Sequence, residues 1–148
     1  MRKRVLAVAE VKKRIKDAKD ALGVKTFKYN PQKGLLATEL RAVCLTEGVD
    51  EILRRSSRNP RGFPMDRGVE LIVDIVDVVT PTSDIRKVCI DVREIIMSTI
   101  YPVTIDGNVD PTTFLSELRI EGPFGYGLPD VEGIRLILSL NYIDPGNY

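Results

Sequence analysis

Residues 69–79 read Val-Glu-Leu-Ile-Val-Asp-Ile-Val-Asp-Val-Val. Val69, Leu71, Val73, Ile75 and Val79 share one parity, with Glu70, Asp74 and Val78 among those on the other. Side chains of a strand alternate between faces, so this stretch predicts a strand with one face apolar from Val69 to Ile75. Its natural antiparallel partner lies upstream at 39–53, where Leu40, Ala42 and Cys44 alternate with Val43 and Leu45 and Gly48 marks a bulge. Between the two, residues 54–68 hold two Pro, two Gly and the arginines Arg54, Arg55, Arg58, Arg61 and Arg67. That composition predicts a long flexible loop at the tip of a hairpin.

Downstream, Pro81-Thr82-Ser83-Asp84 predicts a helix start with Thr82 or Ser83 as cap. Ile85, Val88, Cys89, Val92, Ile95, Ile96 and Thr99 then form an apolar stripe that ends before Tyr101-Pro102. Asp110-Pro111 predicts a second, shorter helix to about Leu118, with Pro at its first position. A Gly- and Pro-rich loop over 122–133 leads to a final strand with Ile134, Leu136, Leu138, Leu140 and Tyr142 on one face. Upstream, Thr26–Tyr29 predicts a short strand. Residues 4–22 predict a basic amphipathic helix, with Val8, Val11, Ile15, Ala18 and Leu22 inward and Gly23 stopping it. Helices on one face of a mostly antiparallel sheet make this an α+β chain, expected to be a single domain over 1–148 with 1–4 and 144–148 loose.

The net charge of +1 conceals strong segregation. Residues 1–33 carry +8, residues 34–68 carry +1 and residues 69–148 carry −8. Such asymmetry points to two different partners or to self-assembly through complementary faces; solvated charge on a helix and a sheet is the plainer account. A chain with this share of Val, Ile and Leu is not wholly disordered. The sequence has no His, which removes the commonest general base and zinc ligand. Cys44 and Cys89 stand alone in apolar segments, reading as buried thiols without a metal pattern. Ser56 and Ser57 lack an activating base, and Asp74 and Asp77 fall on opposite faces of their strand. Asp91 and Glu94 read as a solvated helix face. Gly122-Pro-Phe-Gly-Tyr-Gly is not followed by Lys-Ser/Thr, so a contact surface with Phe124 and Tyr126 as anchors is the better reading than a phosphate cradle. No enzyme activity and no cofactor are expected. The longest uncharged run, Ile95 to Ile105, has 11 residues and is broken by Pro102. The apolar stretch after Arg2-Lys3-Arg4 is short, so neither a membrane span nor secretion is expected.

The order of elements resembles that of the tail terminator (tail completion) proteins of long-tailed bacteriophages. The matching features are the helix ending at Ala21-Leu22-Gly23, then Thr26-Phe27, and the strand Arg41-Ala42-Val43-Cys44-Leu45-Thr46-Glu47-Gly48. A polar loop, Val69–Ile75, the helix running into Ile100-Tyr101-Pro102 and the closing strand Ile134–Tyr142 complete it. The resemblance implies a virion subunit, assembled in the host cytoplasm, that forms a ring, expected to be hexameric. Such a ring caps the tail tube, stops its polymerisation and meets a head–tail connector or neck protein on its other face. DNA passes through its lumen without specific recognition. Arg54, Arg55, Arg58, Arg61 and Arg67, with Phe124 and Tyr126, are the candidate subunit contacts, the arginines reaching acidic surface on a neighbour or the tube. Two readings compete: a nucleic-acid-binding module using the basic helix and the Arg-rich loop, and a connector or neck subunit.

Overall fold

A computed structural model describes residues 2–55, 62, 64–82, 84–97, 103–105, 108–110 and 112–144. Helix α1 spans Arg2–Asp17, followed by strands β1 (Thr26–Tyr29), β2 (Ala42–Arg55) and β3 (Met65–Val78). Helix α2 (Ile85–Met97) precedes β4 (Val103–Ile105), β5 (Asn108–Asp110), β6 (Phe114–Gly125) and β7 (Val131–Asp144). Five strands form one sheet in the order β1-β2-β3-β7-β6, antiparallel except for the β1–β2 pair. The expected α+β architecture, helices packed on one face of a mostly antiparallel sheet, is what the chain adopts.

The spine is β3 paired with β7 without interruption, from Met65↔Asp144 to Val78↔Val131. Val69, Leu71, Val73 and Ile75 on β3 and Ile134, Leu136, Leu138 and Leu140 on β7 are buried on one face. Helices α1 and α2 cover that face with Ala7, Val8, Val11, Ile15, Cys89, Val92 and Ile96. Burying each such aliphatic side chain contributes about 1.5–3 kcal/mol, which makes this layer the main source of stability. At one end the opposite face has a smaller core of Leu35, Ala42, Cys44, Val76 and Val131, with Leu40, Tyr126 and Leu128 packed on it. Beyond it the face carries the paired Ile72 and Ile137, the latter buried, among polar residues such as Glu70, Asp74 and Ser139.

Several boundaries differ from the sequence expectations. The α-helix of α1 stops at Asp17, and turns carry the chain to Gly23, whose φ of +65° suits a residue without a Cβ. Arg4 already lies inside α1, so the start is not loose there. Asp84, not Thr82, caps α2: its Oδ1 accepts a hydrogen bond from the Lys87 N–H at 3.1 Å. Ser83 lies outside the described residues. Val79 falls beyond the end of β3 and is exposed. The predicted helix over 110–118 is absent, since Phe114–Gly125 is an edge strand on β7. The Gly/Pro loop shrinks accordingly to residues 126–130. Gly48 does sit in a bulge, between the paired positions Glu47 and Asp50. The Arg-rich loop is shorter than expected, because β2 reaches Arg55 and β3 begins at Met65. Asp144 ends β7 and is 2% exposed, so it belongs to the ordered body; residues 145–148 lie outside the described residues.

Candidate functional site

The candidate contact arginines divide into two environments. Arg67 projects from the helix-covered side of β3, opposite Ile52. Its Nε donates to Asp144 Oδ2 at 3.0 Å, and its Nη1 stands 3.6 Å from Asp50 Oδ1. Asp50 is itself the hub of a cluster: Arg4 Nη1 donates to its Oδ2 at 2.6 Å and the Tyr142 hydroxyl donates to the same oxygen at 2.8 Å. Arg4 Nε reaches Glu47 at 3.2 Å, and the Tyr29 hydroxyl also donates to Glu47. Burial together with the bond to Asp50 pushes the Tyr142 phenol well above the ordinary tyrosine range. The positive residues at the start of α1 oppose the helix dipole, and Glu47 and Asp50 beneath them offset that repulsion. Arg67 is therefore a clamp inside the fold, not a loop arginine.

Arg54 points to the open side, opposite Asp66. Its pair with Asp66 at 3.0 Å leaves the side chain 81% exposed. A surface pair of this kind contributes little and exchanges readily with another partner. The backbone of Arg55 ends β2, while Arg58 and Arg61 lie outside the described residues.

Phe124 and Tyr126 are both half-buried. The Phe124 ring lies against Gly133 of β7, where an added Cβ would approach it to 2.9 Å, and Arg135 stands 5.7 Å over that ring. Arg135 is fixed in turn by two hydrogen bonds to Asp74, at 2.8 and 3.1 Å. Tyr126 packs on the smaller core. The two aromatics close the open face at one end of the sheet, with part of each ring facing solvent.

The basic face of α1 is partly engaged. Lys12 Nζ sits 3.9 Å from the centre of the Tyr29 ring and Lys16 Nζ 5.8 Å from that of Phe27. Lys28 pairs with Glu39. Arg14 is buried, and its Nη1 donates at 2.7 Å to the Ile96 carbonyl at the end of α2, where a positive charge is favourable.

Sequence reasoning passed over one feature as solvated surface. Between the turns after α1 and the side of α2, a shallow depression of about 380 Å³ is lined by Ala21, Leu22, Asp91, Glu94 and Ile95. Its floor is apolar and its rim carries two carboxylates. The signal present in the sequence was the acidic pair at i and i+3 followed directly by Ile95.

Neither Cys44 nor Cys89 offers reactive chemistry, since burial pushes each thiol up to about 11. Among the described residues no group of three potential metal ligands converges. None of the described helices is long and apolar enough to cross a membrane.

No protein-family model and no curated protein matches this chain. Solved structures do match. One is a chain from the virion of a native gene transfer agent (GTA) particle, with 10% sequence identity and a TM-score of 0.58. The match covers 91% of this chain and 92% of that one. At this identity the likeness is one of fold, end to end.

Proposed function

We propose that this chain is a structural subunit of a phage-like virion, a ring-forming protein of the tail terminator kind that caps the tail tube and joins it to the head or neck. The observation that supports it most is the near-complete fold likeness to a chain of a gene transfer agent virion. The resemblance in element order points the same way, and the segregated charge supplies the unlike patches a head-to-tail contact requires. On this reading the protein performs no chemistry and uses no cofactor. Its partners are further copies of itself, a tail tube protein and a connector or neck protein, with DNA crossing the lumen unread.

A nucleic-acid-binding module is the alternative from another class. It is less favoured because Arg4, Arg14, Arg41, Arg67 and Arg135 are committed to carboxylates of the same chain. Lys12 and Lys16 lie over aromatic rings. Negative-stain images and light-scattering mass, with the protein alone and with tail tubes, test the proposal: closed rings support it. A chain that stays monomeric and retards DNA fragments with a salt slope of several units overturns it. A connector would also form rings; capping of isolated tail tubes separates the two. Replacing Arg54, Arg55 and Arg58 by Ser is expected to weaken ring formation at ordinary salt.

A further inference from the structure

We infer that the acid-rimmed depression formed by Ala21, Leu22, Asp91, Glu94 and Ile95 is the receptor for the arginine-bearing hairpin end of a second copy of this chain. The inference rests on the proposed assembly of subunits and names the surface that the basic hairpin meets. Three observations carry it.

The depression suits a guanidinium side chain. Asp91 and Glu94 lie one turn apart on α2 and flank Ile95 and Leu22. A long basic side chain would lay its aliphatic stem on this floor and set its planar head between the two carboxylates. Among the described residues neither carboxylate is ion-paired, although Arg93 beside them is held by Glu117.

The hairpin end is the arginine-rich stretch of the sequence. Arg54 is 81% exposed, and Arg55, Arg58 and Arg61 follow it in sequence. Arg41 with Asp77 and Arg135 with Asp74 instead hold the fold together, while Arg119 is turned back onto Glu121 of its own strand.

The two surfaces lie toward opposite ends of one molecule. The hairpin end adjoins the Arg55↔Met65 pair. The depression adjoins Leu22, whose carbonyl accepts from Arg41, and Arg41 is anchored to Asp77 near the far end of β3. Met65 to Asp77 spans about 40 Å of strand. Arg54 therefore meets a neighbour's depression instead of its own. The contact joins unlike patches and propagates head to tail, as a ring or filament requires.

Two charge reversals of the full-length protein test this: Asp91→Lys with Glu94→Lys, and Arg54→Glu with Arg55→Glu and Arg58→Glu. Far-UV circular dichroism checks folding, and sedimentation velocity reads association. Each variant alone is expected to need at least about tenfold more protein to associate. An equimolar mixture is expected to regain wild-type association, since each reversed patch meets its reversed counterpart. If either reversal perturbs folding, Glu94→Gln and Arg54→Gln replace them, with a smaller shift expected and insensitivity still decisive. Variants that associate like the wild type, or a folded mixture that stays dispersed, overturn the receptor alone. A wild-type chain that remains monomeric to its solubility limit, with and without tail tubes, overturns the assembly reading and the receptor with it.

Discussion

Arg54 and Arg67 come from the same arginine-rich stretch and lie on adjacent strands of one hairpin, yet they live in different media. Arg67 faces the helices, where Asp50, Asp144 and Tyr142 surround it and only a fifth of its side chain meets water. Arg54 faces outward and is bathed in solvent. Strand parity and depth along the hairpin account for the difference. In the first setting, desolvated charge must be matched by partners, so the arginine becomes part of the structure. In the second, solvent screens the charge, the intramolecular pair is weak, and the guanidinium stays available. Chemical identity does not separate a clamp from a contact residue; position on the pleat does.

The contrast can be broken by experiment. Arg67→Ala is expected to cost about 2 kcal/mol in urea denaturation, because buried Asp144 loses its guanidinium and Asp50 one of its cations. A loss no larger than that of Arg54→Ala would erase the distinction. Tyr142→Phe removes one hydrogen bond to Asp50 and is expected to cost about 1 kcal/mol. It also carries a pH signature. The folded state raises the Tyr142 pKa, so its contribution is fully present below the unfolded value of about 10 and is lost as pH rises beyond it. The Phe variant is therefore expected to lose less stability than the wild type between pH 9 and about 11.

The cysteines sharpen the same point about burial. With thiols raised to about 11, Cys44 and Cys89 are expected to resist a disulfide reagent at pH 8 until the protein is unfolded. Their contribution to stability declines above about pH 8.5 and is gone once pH passes the folded values. Fast labelling of native protein would show that either core opens readily. The smallest effect on stability is assigned to Arg54→Ser, which is expected to leave the denaturation midpoint unmoved while weakening self-association. A stability loss comparable to that of Arg67→Ala would place Arg54 among the clamps.

Much of the fold was legible because its signals are local. The alternation of 69–79, the stripe of α2 and the breakers around 54–68 are written in neighbouring residues. The miss at 110–118 has a physical origin. Asp110-Pro111 imitates a helix start, and β6 slips register between Glu117 and Arg119, which puts Leu118 at an irregularity and exposes it. A slip of one residue exchanges the faces of a strand, so the apolar alternation that would have announced β6 is broken. The candidate site was read less completely. Arg54 was visible as an exposed base, but the clamp role of Arg67 was not. Asp91 and Glu94 read as solvated surface in the sequence because nothing in their own helix shows that Leu22 completes an apolar floor beside them.

The amino-acid sequence by itself determined the alternation and periodicity that select an α+β fold, the breaks between elements and the segregation of charge. Tertiary structure decided which charges remain. Arg41 meets Asp77, Arg67 meets Asp144 and Arg135 meets Asp74 only after the strands pair, because each couple is separated by dozens of residues along the chain. Hydrophobic patterning depends on neighbours a few positions away, so it survives in one dimension. Charge neutralisation depends on distance through space, so it exists only once the sheet has brought its ends together.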